Sequence, residues 1–68
     1  MTFEEVLKYF GSGYRISVDG GFSAGTPPGW KKQGFVPIHA QLKLEQVTKG
    51  ELKASLGDLE PKFIDEDL

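Results

Sequence analysis

The 68-residue sequence has no cysteine and a single histidine. Without cysteine there are no disulfide staples and no thiolate metal sites, a composition that suits a reducing cytosol. His39 stands alone, with no close cluster of carboxylates around it, so an imidazole-based metal site is not expected. Its place beside a proline step suggests a surface residue at the start of a helix. No apolar run approaches the ~20 residues of a membrane span. The opening Met-Thr-Phe-Glu-Glu has no basic segment followed by an apolar stretch, so no secretory signal is expected. Ser12, Ser23 and Ser55 lack a recognisable base partner or nucleophile elbow. Glycines at 11, 13, 20, 21, 25 and 29 do not end in the Gly-Lys-[Ser/Thr] that a phosphate loop requires. A chain this short also leaves little room for a concave pocket. Neither an enzyme nor a cofactor, metal or small-molecule ligand is expected.

What is present is one small core. Apolar residues make up 38% of the chain, and a domain of this size buries only about 60% of the surface its unfolded chain exposes. Stability is therefore marginal, and association of two copies is a common remedy. The net charge of −2 conceals an asymmetry. Residues 1–50 carry six cations against four acids, whereas residues 51–68 carry two against six. The body is mildly basic and the end acidic. Residues 57–68, with Pro61 and most of those acids, read as a mobile acidic tail that aids solubility, screens a basic surface or meets a partner. Phe63, Ile64 and Leu68 are its apolar residues, available to dock against the body.

The first helix is plainly written. Phe3, Val6, Leu7 and Phe10 fall at i, i+3, i+4 and i+7. Thr2 and Glu5 form a capping box, Glu4 and Glu5 suit the positive helix start, and Gly11 and Gly13 stop it. A helix is predicted over 2–10. Residues 14–19 point elsewhere: Tyr14, Ile16 and Val18 alternate with Arg15, Ser17 and Asp19. Asp19-Gly20-Gly21 follows as a turn signal, so the local pattern reads as a strand entering a hairpin. Residues 23–29 read as loop, although Thr26 is also placed to cap a short helix with Pro27 at its first position, ending at Gly34. Pro37 opens a helix over 37–48, its apolar side assigned to Ile38, Leu42 and Val47 with Leu44 flanking. Gly50 is its natural left-handed terminator.

From Phe10 to about Ser55 the chain resembles the small Cro repressors of lambdoid phages and related prophage regulators. The residues that carry the resemblance are Phe10-Gly11 at the end of the first helix, then Gly20-Gly21-Phe22-Ser23 where the family has its turn. Trp30-Lys31-Lys32-Gln33-Gly34 and the Val36-Pro37-Ile38 step follow. The match closes with Leu44-Glu45-Gln46-Val47-Thr48, Gly50 and Leu52-Lys53. No gap is needed across this stretch, and the second half is the more specific.

The resemblance implies an all-α fold: a small bundle of four to five short helices containing a helix-turn-helix, within a domain spanning residues 1–56. Helix two would span 13–20, the turn would centre on Gly21, and the third helix would lie in the DNA major groove. Ile16, Phe22 and Trp30 fall on core positions, Ser17 on a close helix approach, and Ser23 on the cap of the recognition helix. The implied function is a phage or prophage transcriptional regulator, a repressor. It would bind double-stranded operator DNA as a homodimer in the bacterial cytoplasm, associated with the nucleoid. The implied DNA-binding residues are Arg15, Ser23, Ala24, Thr26, Gly29, Lys31 and Lys32. Arg15, Lys31 and Lys32 would hold phosphates. Ser23 and Thr26 hydroxyls, methyl contacts and DNA shape would supply readout.

The sequence departs from that pattern at the recognition helix. Gly20 stands where a leucine packs, which predicts a loss of burial worth roughly 2 kcal/mol. Pro27 stands where a β-branched core residue lies, followed by Pro28 and Gly29. A proline inside a helix costs about 3 kcal/mol and a glycine about 1. A regular helix over 24–32 is not expected. Either the helix starts late, at Thr26-Pro27, or this half is loop or strand. Two other readings follow. In one, the scaffold has lost its reading helix and is a protein-interaction module such as an antirepressor. In the other, the chain is a small β-containing domain.

Overall fold

The computed structural model describes residues 1–60. Four α-helices and one 3-10 turn account for its regular structure: α1 (Phe3–Phe10), α2 (Gly13–Gly20), α3 (Thr26–Gln33), α4 (Ile38–Val47) and the turn Leu56–Leu59. No strand occurs among the described residues, which removes the β-containing alternative.

The expected caps form α1. Thr2 Oγ1 accepts from Glu5 N–H at 3.1 Å, and Glu5 Oε1 accepts from Thr2 N–H at 2.8 Å. Two otherwise unsatisfied donors are thereby paired. Gly11 ends the helix at φ 96°. Phe3 and Val6 are buried, with Leu7 and Phe10 packed against the core edge.

The strand expected from Tyr14, Ile16 and Val18 is instead α2. In a strand all three would share one face. In a helix Tyr14 and Val18, four apart, share a face, and Ile16 points to the other side. Ile16 is fully buried, whereas Tyr14 and Val18 are 75% and 57% exposed. Ser12 caps the helix through its hydroxyl, which accepts from Arg15 N–H. Gly21 ends it at φ 78°, a left-handed conformation that glycine adopts without steric cost. The Gly21 and Phe22 amides both donate to the Ser17 carbonyl, at 3.0 and 2.9 Å. Helix two and the Gly21 turn thus stand where the family resemblance puts them.

The chain does start its third helix late. Gly25 is the N-cap, so Thr26, Pro27 and Pro28 are its first three residues. Amides at those positions have no partner within a helix, so the two prolines forfeit no hydrogen bond. Pro27 is fully buried. Gly29 N–H closes the first turn onto Gly25 O at 3.3 Å, and Gly34 terminates the helix at φ 92°. Ser23 is not its cap: the Ser23 hydroxyl meets the Thr26 hydroxyl at 2.7 Å instead.

Gly20 leaves no vacancy either. A Cβ there would lie 3.0 Å from two Phe22 ring carbons and 3.3 Å from Leu44 Cδ2. The Phe22 ring occupies the space a leucine would take, and it packs edge-on against Trp30 at 4.9 Å between centroids.

In α4 the buried face is Ala40, Gln41 and Leu44, not the Ile38–Leu42–Val47 side. Leu42 and Val47 are exposed. Thr48 is the C-cap, followed by left-handed Lys49 and Gly50. The Gly50 amide donates to Glu45 O at 2.8 Å.

The core contains Met1, Phe3, Val6, Ile16, Trp30, Val36, Ala40, Leu44 and Leu52. Three buried residues are polar: Ser17, Gln41 and Thr48. Gln41, with no exposed surface, accepts through Oε1 from the Met1 ammonium and from Ser55 N–H, both at 2.8 Å. Its Nε2 donates to Val36 O at 2.8 Å. The Met1 ammonium also donates to Lys53 O and pairs with Asp58 Oδ2, each at 3.0 Å. Gln41 therefore joins the chain start, α4 and the segment after it. Where the mobile tail was expected to begin, residues 56–59 form a turn held to Met1 through Asp58. The tail residues Phe63, Ile64 and Leu68 lie outside the described residues. No helix among the described residues is long and apolar enough to cross a membrane.

Candidate nucleic-acid interface

The packing of α2 and α3 around the 21–25 turn sets the candidate surface. Ile16 and Trp30 draw the two helices into one core. The Ser17 hydroxyl, reaching Ser23 O at 3.2 Å, ties α2 to the turn. The small Ser17 side chain permits this approach, as expected. Outside the core, Ser23, Ala24, Gly25, Pro28 and Gly29 are exposed and Thr26 is half-buried. Lys31 and Lys32 are exposed in the last turn of α3.

Between the helices lies an open groove of about 450 Å³, lined by Gly13, Tyr14, Ser17, Val18, Phe22, Ala24 and Pro28. Of the implied DNA-binding residues, Ala24 belongs to it. A neighbouring depression shares Gly13 and Pro28 and includes Lys31, which places that cation beside the groove. Lys43, on α4, stands on the Phe22 side. Its Nζ donates to Gly21 O at 2.8 Å and lies 4.5 Å from the Phe22 ring centroid. The cation thereby also complements the negative end of α2.

Arg15 is not brought to this surface. Its Nε is 3.0 Å from Asp19 Oδ2, one helical turn on. Both residues line a different depression, with Tyr9, Phe10, Val47 and Thr48. The pair is largely exposed, so it contributes only a few tenths of a kcal/mol and yields readily to a competing anion.

The start of α3 is not an amide cradle for phosphate. Pro27 and Pro28 have no N–H, and Thr26 N–H is donated to Ser23 O at 3.0 Å. Lys31, Lys32 and Lys43 are the exposed lysines near α3 and the 21–25 turn. Among the described residues no group of His, Asp and Glu could hold a metal ion.

Sequence reasoning missed three members of this surface. Tyr14 and Val18 emerge only once residues 13–20 are known to be helical, because helical phase turns both outward. Lys43 lies 22 residues from Gly21, and no local signal announces that pairing.

No protein-family model, no curated protein and no solved structure matches this chain significantly. The likeness to the small Cro repressors therefore stands on the residues quoted above.

Proposed function

We propose that the protein is a helix-turn-helix transcriptional regulator of the phage or prophage type, a repressor that binds double-stranded operator DNA as a homodimer. Its place would be the bacterial cytoplasm, on the nucleoid. One observation carries the reading. Residues 13–33 form two helices around a left-handed glycine, with Ile16 and Trp30 buried and the front of the second helix left outside the core. That is the layout in which a second helix can enter a major groove. Tyr9, Leu42, Val47 and Leu56 remain exposed, apolar surface of the kind a second copy would cover.

The affinity would be modest and electrostatic. Three lysines per subunit give about six phosphate contacts in a dimer, and such a dimer loses about 10³-fold in affinity between 50 and 200 mM salt. Gel shifts with palindromic DNA at low salt test this. Retardation that weakens steeply with salt, together with a concentration-dependent dimer in sedimentation, is the expected result. No retardation at tens of micromolar protein, weaker than ordinary non-specific binding, would overturn it.

A second reading has its own observation. Tyr14 is 75% and Val18 57% exposed beside the groove, and paired exposed apolar residues of this kind also suit a protein partner. In that reading the scaffold is a protein-interaction module such as an antirepressor. Capture of a specific protein with no DNA retained would favour it.

A further inference from the structure

We infer that the groove between α2 and α3 recognises the C5-methyl groups of pyrimidines in the major groove, in thymine or 5-methylcytosine. The inference rests on the DNA-binding reading and names what that surface reads.

Base edges in the major groove offer hydrogen-bond donors, acceptors and the thymine methyl. Discrimination by hydrogen bonds relies chiefly on Arg, Lys, Asn or Gln. From Ser23 to Gly29 the exposed surface has none of these. Its two hydroxyls, Ser23 and Thr26, already meet each other at 2.7 Å. Gln33, at the far end of α3, donates its amide to Phe35 O at 3.0 Å.

What the surface does offer is apolar. Ala24 and Pro28 face Tyr14 and Val18 across a groove that includes Phe22. Gly25 and Gly29 have nothing within 4 Å of where a Cβ would stand, so the duplex can come close to the backbone. Two cations adjoin the groove: Lys31 shares a depression with Pro28, and Lys43 lies over Phe22. An apolar strip with cations at its margin complements a duplex face, where methyl-bearing base edges adjoin the phosphates. Charge complementarity of this kind favours DNA over an apolar peptide as the occupant.

The test uses the full chain and four synthetic duplexes of equal length, read by fluorescence anisotropy at low salt. Two are alternating A·T duplexes, one containing thymidine and one deoxyuridine. Two are alternating G·C duplexes, one containing cytidine and one 5-methylcytidine. Removing one buried methyl should weaken binding about fourfold, from the transfer free energy of a single methylene. Thymidine should therefore outbind deoxyuridine, and 5-methylcytidine should outbind cytidine.

The exposed-site double variant Val18→Asn with Ala24→Ser should bind the thymidine and 5-methylcytidine duplexes more weakly, so that both preferences are lost. Equal affinity within each pair would overturn the methyl readout while leaving DNA binding standing. A preference in only one pair would trace it to duplex shape and overturn it too. A preference that survives in the double variant would remove the readout from this groove. Failure to bind any duplex would overturn both this inference and the function on which it rests.

Discussion

Replacing Gln41 with leucine tests whether a buried amide, rather than apolar packing alone, closes this small fold. The change keeps the side-chain volume nearly constant, so it makes no cavity. It removes three hydrogen bonds of 2.8 Å: Met1 ammonium to Oε1, Ser55 N–H to Oε1, and Nε2 to Val36 O. Ser55 is exposed, and water replaces its partner at little cost. Val36 is buried, and an orphaned carbonyl there costs about 1–3 kcal/mol. The ammonium keeps Lys53 O and Asp58 Oδ2 but loses a bond to a charged donor, worth about 1.5–3 kcal/mol. Leucine recovers roughly 1–2 kcal/mol through its buried methyls. The net loss is about 3 kcal/mol, within a span of roughly 0.5–5, against a total stability of roughly 3–10 kcal/mol for a chain of this length.

Urea unfolding followed by Trp30 fluorescence and far-ultraviolet circular dichroism measures it. With m near 1 kcal/mol/M, the midpoint should fall by about 3 M with m unchanged. Gln41→Glu separates the two halves of the hub. It keeps an acceptor for the ammonium but sets an oxygen against Val36 O, so it too should destabilise. An unchanged or raised stability in the leucine variant would refute the reasoning, because these terms leave a net cost even at their least favourable combination.

Three further outcomes are expected. Trp30→Ala removes a buried ring that packs against Phe22 and should cost about 3–5 kcal/mol; a thermal melt showing a well-folded variant would contradict the burial. Gly20→Leu, which restores the residue type of the Cro-like pattern, should destabilise by about 1–3 kcal/mol because Phe22 and Leu44 already fill the space. A neutral or stabilising effect in urea would show that this space is open. Lys31→Ala combined with Lys32→Ala should leave the melt unchanged and reduce the salt slope of DNA binding by about 2 per subunit. Unchanged binding would place the DNA surface elsewhere.

The parts of the fold legible in the sequence are those decided within one helical turn. Thr2 and Glu5 pair three residues apart, and Gly11, Gly34 and Gly50 each take up the left-handed conformation that their position after a helix requires. The late start of α3 was one of two readings left open, because proline tolerates only a helix's first turn, and Gly25 rather than Thr26 is its cap. Alternation over residues 14–18 was not decisive: three apolar residues spaced by two fit a strand as well as a helix that buries only the middle one. The family resemblance placed α2 where local pattern did not. Of the DNA-binding residues the resemblance implies, Ser23, Ala24, Thr26, Gly29, Lys31 and Lys32 lie along the turn and α3, whereas Arg15 lines a depression with Asp19, Val47 and Thr48.

By itself the sequence determined the start of α1 and the glycine terminators of α1, α3 and α4, since caps and breakers act on amides and carbonyls only three or four residues away. Tertiary structure decided everything that needs two distant segments to meet. Phe22 takes the place of a leucine at residue 20 because α2 and α4 close over it. Lys43 reaches Gly21, and Gln41 joins Met1 to Ser55, because the chain has already collapsed around Ile16, Trp30 and Leu44. Those contacts form only after the entropy of closing long loops has been overcome by burial of the shared core. No window of sequence contains both partners.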